Sequence, residues 1–181
     1  MDELAFLKTD AVTAARRLLG CELVREIDGR VLRGKIIEVE AYDQTDAASH
    51  SYKGKTERTA VMFGPAGHIY VYFTYGMHYC CNVVVGEEGE GAAVLIRAIE
   101  PLEGQDVMLD NRHGRGGAEL TNGPAKVCQA FRIDKRLNGH DLRTSPIRLI
   151  VAKPVSADKI ITTPRIGISQ AKEAMWRFVV E

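Results

Sequence analysis

Nowhere is the chain apolar for long enough to cross a bilayer, which takes about 20 consecutive residues, so no membrane span and no membrane partner are expected. The first residues, Met1-Asp2-Glu3-Leu4-Ala5, are acidic and lack the basic stretch with which a signal peptide begins. A soluble cytoplasmic protein is the expectation. Cysteine is scarce: Cys21, Cys80, Cys81 and Cys128 are the only four. None forms a C-x-x-C pair, and no histidine stands at zinc-finger spacing. Adjacent cysteines on a strand point to opposite faces, so Cys80 and Cys81 cannot easily share a metal. Buried reduced thiols fit better, as in a reducing compartment, and no metal or cofactor is expected. Net charge is also missing, because 24 basic residues meet 24 acidic ones. Nucleic-acid binders usually carry a positive surplus; the total here permits such a partner without arguing for it. Two local clusters, Lys53/Lys55/Arg58 and Arg132/Lys135/Arg136/Arg143, could form a basic face or simply two solvated loops.

What is present is a chain of 181 residues, 45% hydrophobic, without repeats or an interdomain linker. That amounts to one domain, residues 1–181, with one core. Asp10 and Gly20 bracket a capped helix. Asp28-Gly29 between two alternating runs predicts a hairpin, with its second arm reaching Tyr42. Residues 43–68 read as a long polar loop that needs a reason to exist. Strands are expected at 69–74, 80–85, 92–98, 147–152, 166–168 and 177–180. Helical turns are expected within 102–112 and, with Pro124 near the start, at 124–131. Strand runs broken by a few helices, with no regular βαβ alternation, predict an α+β fold with a largely antiparallel sheet.

Four features could carry chemistry. On a strand, Glu38, Glu40 and Tyr42 share one face; that face lines a pocket, where Glu40 and Tyr42 could act together, or it is a solvent-facing edge. The stretch Tyr70-Val71-Tyr72-Phe73-Thr74-Tyr75-Gly76-Met77-His78-Tyr79 holds four of the six tyrosines. These rings could stack an unpaired base or pack an aromatic core with hydroxyls at its rim. His50 lies in the polar loop. Arg97, inside an apolar strand, must find a carboxylate or another acceptor, naturally on a neighbouring strand. Together these residues suit hydrolysis of a bond to a planar, π-rich leaving group.

The order of motifs resembles a known family. It runs from Ile37-Glu38-Val39-Glu40-Ala41-Tyr42 through His50, Tyr70–Asn82 and Leu95-Ile96-Arg97-Ala98-Ile99-Glu100-Pro101 to Gly123-Pro124-Ala125-Lys126-Val127-Cys128-Gln129-Ala130 and Arg165-Ile166-Gly167-Ile168. This is similar to the alkyladenine (3-methyladenine, methylpurine) DNA glycosylases, not to the helix-hairpin-helix type. The resemblance spans about Leu18 to Val180 and implies a single domain with a curved, largely antiparallel sheet flanked by helices. It implies a monomer acting on duplex DNA that contains damaged purines, by base flipping and hydrolysis without strand cleavage, as the first step of base excision repair. By the same resemblance Glu40 is the general base, and Arg97 holds the attacking water together with the carbonyl of Ile166. Tyr42, His50 and Tyr72 are implied as walls around the flipped base, and Asn82 as the floor that rejects the 2-amino group of guanine. Tyr75, with Met77 beside it, is implied as the wedge that fills the vacated space. His78 stands where the mammalian pattern has a tyrosine. Two other classes compete: a damage sensor that binds without cutting, which has no use for the Glu40/Arg97 pair, and a hydrolase of free nucleosides, which has no use for a wedge.

Overall fold

The structure is a computed structural model and describes residues 2–181. Asp10 accepts a hydrogen bond from the Thr13 N–H at 2.9 Å and opens α1 (Ala11–Leu18), which satisfies one of the free amides of the first turn. Asp28 and Gly29 both have positive φ, 49° and 73°. That turn matches the twist of a hairpin and pairs β1 (Glu22–Ile27) with β2 (Arg30–Tyr42). The remaining elements are β3 (Ile69–Thr74), β4 (His78–Val84), β5 (Ala93–Glu103), α2 (Gln105–Asn111), α3 (Pro124–Ala130), β6 (Ile147–Ile150), β7 (Ile160–Thr163) and β8 (Arg177–Val180). Every pairing is antiparallel, in the order β3-β4-β5-β2-β1-β6, with β8 joined to both β2 and β7. The fold is therefore α+β, as expected, with short helices beside a curled sheet.

The long β2 organises the molecule. Its first half pairs with β1 and its second half, at Glu38–Glu40, with β8, while β5 runs along its other edge. The β2/β5 register breaks twice near the middle: Ile36 faces Ile99, Glu38 faces Ala98 and Val39 faces Ile96. Ile37 on one strand and Arg97 on the other are thus left out of the ladder. A one-residue bulge reverses which face each later side chain takes. Burial follows that reversal: Leu32 and Ile36 are core residues before the bulge, and Val39 and Ala41 after it. Glu38, Glu40 and Tyr42 share the parity of Leu32 and Ile36, yet the bulge turns them away from the main core.

That core lies on one side of the sheet, where Leu18 of α1, Phe131 after α3 and Phe178 of β8 join the inward residues of the strands. Met62, Phe63, Tyr70, Val84 and Ala93 form a second, smaller cluster on the opposite face of β3–β5, with Tyr72 packed against it. The four cysteines are buried free thiols, and Cys80 and Cys81 do take opposite faces.

Three local expectations change. Residues 166–168 are not a strand, and the strand of that region is β7, a few residues earlier. Gly167 has φ +74°, and the Ile166 N–H bonds a side chain rather than a ladder. The stretch 102–112 is divided, because β5 continues to Glu103 and α2 begins only after Gly104. The loop 43–68 also contains a 3-10 turn, Ala60–Phe63, which carries Met62 and Phe63 into the second cluster.

Candidate active site

The bulged stretch of β2 supplies the centre of the site. Glu40 has no exposed surface, and its carboxylate is held from three directions. The Tyr42 hydroxyl donates to Oε2 at 2.7 Å, the Ile166 N–H donates to Oε1 at 2.7 Å, and the Arg97 guanidinium lies 3.5 Å from Oε1. A carboxylate accepts about four hydrogen bonds, so these three contacts leave lone-pair capacity on Oε2. Burial, together with the charge and hydrogen bond of Glu40, pushes the Tyr42 phenol well above its ordinary pKa and keeps it a donor. Arg97 meets a carboxylate on the neighbouring strand, as its apolar surroundings require, and in fact meets two: its Nε donates to Glu38 at 3.0 Å.

Glu40, Tyr42, Arg97 and Ile166 line one cavity of about 320 Å³ with Tyr72, Tyr75 and Cys80. A narrower cleft of about 20 Å³ adjoins it, lined by Tyr42, Ser49, His50, Met62, Tyr70, Tyr72 and Asn82. Tyr42 and Tyr72 belong to both. His50 packs edge-on to Tyr72 with ring centres 4.5 Å apart, and its Nδ1 shares a hydrogen with the Tyr70 hydroxyl at 3.1 Å. Burial, and then the positive charge of Arg58, lowers its pKa below the ordinary 6.5, which favours the neutral ring. Asn82 is buried and donates from Nδ2 to the Tyr70 carbonyl at 3.1 Å, which fixes its amide.

At the mouth, the β3–β4 hairpin turns through Tyr75 and Gly76 with φ of 53° and 66°. A left-handed tyrosine is strained, and such strain concentrates at functional positions. Its effect here is to lift the ring almost wholly into solvent: Tyr75 is 84% exposed and Met77 69%. The two basic clusters differ. Arg132, Arg136 and Arg143 are each paired with an aspartate, whereas Lys135 beside them, and Lys53, Lys55 and Arg58 of the other cluster, have no ion pair among the described residues. Arg58 sits 5.7 Å from the centre of the Tyr72 ring.

The residues singled out from the sequence therefore gather into two adjoining cavities and one projecting hairpin. Sequence reasoning missed what holds them there. Arg165 forms a fully buried ion pair with Asp46, their side chains being 0% and 1% exposed. It also donates to the Ala41 carbonyl at 2.9 Å and lies over the rings of Tyr42 and Trp176, 4.6 and 5.1 Å from their centres. The loop bearing His50, the strand bearing Glu40 and the segment bearing Ile166 are clamped by that one guanidinium. An aspartate in a polar loop gives no periodic signal, so nothing marked Asp46 in advance. Among the described residues no group of three or more His, Cys, Asp or Glu is gathered as a metal ion would need, and no helix is long and apolar enough to cross a membrane.

An α+β domain whose bulged central strand feeds a covered carboxylate into an aromatic cavity is the class that fold and site define. The family model for methylpurine-DNA glycosylase matches residues 5–181. A protein of Carboxydothermus hydrogenoformans named "Putative 3-methyladenine DNA glycosylase" is 51% identical over 177 residues, covering 97% of this chain and 93% of that one. Proteins of the same name from Methanoculleus marisnigri and Desulfitobacterium hafniense are 46% and 47% identical, covering 98% and 97% of this chain and 93% of each of theirs. The chain belongs to the methylpurine-DNA glycosylase family.

Proposed function

We propose that this protein is a DNA glycosylase that flips alkylated or deaminated purines out of duplex DNA and hydrolyses their N-glycosidic bond. The observation that carries the reading is the Glu40 carboxylate, buried at the floor of an aromatic cavity and gripped by Tyr42, Arg97 and the Ile166 amide. Flipping costs a few kcal/mol and is cheapest for a damaged base. Tyr75 fills the space left behind, and Met77 supports it from the same hairpin. The extruded base lies among Tyr42, Tyr72 and His50, which offer π-faces to an electron-poor ring. The C1′–N bond then breaks and the base leaves with the electron pair, a cationic alkylated purine departing neutral and a deaminated one departing as an anion that takes a proton from solvent, while charge develops on the sugar. Water adds to C1′ and gives its proton to the open position on Glu40, while the negative carboxylate stabilises the oxocarbenium-like sugar. Arg97 and the carbonyl of Ile166 hold the water in line. The products are a free base and an abasic site. Among the described residues no lysine lines the cavity, which supports hydrolysis without a Schiff base and hence without strand cleavage.

The test compares base release from a methylated duplex, from the same strand unpaired and from free nucleosides. The duplex is expected to be the best substrate. Tyr75→Ala is expected to weaken duplex binding by about tenfold, the scale of one lost base–aromatic stack, and to slow excision from the duplex more than from the single strand. Equal losses on both would remove the wedge role, and efficient cleavage of free nucleosides would favour the nucleoside hydrolase.

Asn82 is proposed as the pocket residue that excludes the 2-amino group of guanine. Its loss should relax specificity more than it harms catalysis. Asn82→Ala is expected to raise release of undamaged guanine by about tenfold, the usual worth of a small steric or polar exclusion. Release no higher than from the wild type would show that discrimination lies elsewhere.

A further inference from the structure

Arg97 spends its Nε, not its forked end, on Glu38, at 3.0 Å. The same Oε1 of Glu38 accepts from Arg177 Nε at 2.7 Å, and Arg177 in turn donates from Nη1 to Thr163 Oγ1 at 2.9 Å. A chain of contacts thus runs from β7 through β8 and β2 to the guanidinium beside Glu40. Arg97 lines the cavity, whereas Glu38 and Arg177 do not. We propose that Glu38 and Arg177 are positioning residues, which hold Arg97 by its Nε so that its Nη1/Nη2 edge faces the water site; this rests on the hydrolytic reading of Glu40 and Arg97 given above.

The physical argument is one of competing partners. A guanidinium offers five donors in a rigid fork and binds a carboxylate best in bidentate fashion. With Glu38 present, Arg97 stands off from Glu40 at 3.5 Å. Without Glu38, the only carboxylate left beside it among the described residues is Glu40, and Arg97 would close on that group and occupy the acceptor positions needed for the water. Arg177 prevents the converse failure, because Glu38 has a second cation to satisfy it and keeps a fixed place on the bulge. Two carboxylates and two guanidiniums balance in charge, so the arrangement needs no ion from solvent. The last strand is tied to the reacting centre in the same way, since Arg177 is the partner of Glu40 in the β2/β8 ladder.

The experiment measures single-turnover excision and duplex affinity for Glu38→Gln, Arg177→Gln, Arg177→Lys, Arg97→Gln and the Glu38→Gln/Arg97→Gln double variant. Glu38→Gln and Arg177→Gln are each expected to slow excision by about tenfold, the scale of a small misplacement at a reacting centre, with affinity for lesion-containing duplex within about twofold of the wild type. Arg177→Lys should recover most of the rate. In the double variant, Glu38→Gln should cost nothing beyond Arg97→Gln, because residues that act through a third do not add. Multiplicative losses in the double variant would overturn the positioning role, as would a wild-type rate for Glu38→Gln. A wild-type rate for Arg97→Gln would instead overturn the hydrolytic reading of the cavity, and the positioning proposal with it.

Discussion

Glu40→Gln is expected to lower single-turnover base release by at least about a hundredfold while leaving affinity for lesion-containing duplex near the wild-type value. Glutamine keeps the shape: its oxygen can still accept from the Ile166 amide, and its NH2 can donate to the Tyr42 hydroxyl, both groups lying 2.7 Å from the carboxylate of Glu40. It cannot take the proton of the attacking water, and loss of a positioned general base usually costs 10²–10⁴ in rate, about a hundredfold at the least. It also removes the negative charge that a cationic sugar would feel in a water-poor site. In the proposed reading, duplex affinity comes from the stacking rings and the projecting Tyr75 hairpin, which the substitution does not touch. Glu38→Gln serves as the internal control, because it removes a carboxylate two residues away on the same strand and should cost far less. Single-turnover kinetics and a gel-shift titration on one duplex separate the two effects. Excision near the wild-type rate by Glu40→Gln, or a larger loss in Glu38→Gln, would move the base to another group.

Asp46→Ala is expected to lower the free energy of unfolding by about 3–5 kcal/mol, the cost of leaving one member of a buried ion pair without its partner. The Arg165 side chain is fully buried, and among the described residues no other carboxylate hydrogen-bonds it: its remaining acceptors are the carbonyls of Ala41 and Ala171. Burial alone would lower the Arg165 pKa, but the hydrogen bond and charge of Asp46 outweigh that effect and raise it. The guanidinium therefore stays charged at neutral pH. Urea unfolding measures the loss, and a change below about 1 kcal/mol would show that the pair adds nothing beyond an exposed one. An apolar replacement of both partners, Asp46→Leu with Arg165→Met, should regain much of the stability, since such swaps are often neutral. It should not regain excision, because the guanidinium that stacks on Tyr42 and bonds the Ala41 carbonyl would be gone.

Much of the molecule is legible along the chain. The Asp10 cap and the Asp28-Gly29 hairpin depend on neighbours within a few residues, and both are present in the fold, as is the antiparallel pattern that strand runs without βαβ alternation predict. Arg97 announces a partner because a charge among apolar strand residues must be neutralised, and it has that partner. The stretch at 166–168 misleads because short apolar runs suit a strand locally. Here the amide of Ile166 is committed to a side chain 126 positions away in sequence.

Local chemistry in the sequence determined the fold class, the elements that caps and turns specify, the buried state of the thiols and the set of residues able to do chemistry. Tertiary structure alone decided which of two faces that set would take. Alternation along β2 gives Glu40 and Tyr42 the same parity as the core residues Leu32 and Ile36. Only the paired bulges at Ile37 and Arg97, which exist through the meeting of two strands, turn them into the cavity. The clamp of Arg165 on Asp46 and the contact of Arg177 with Glu38 are likewise invisible along the chain. Each joins residues more than a hundred positions apart, and a charge reveals that it needs a partner but not which one the fold will bring.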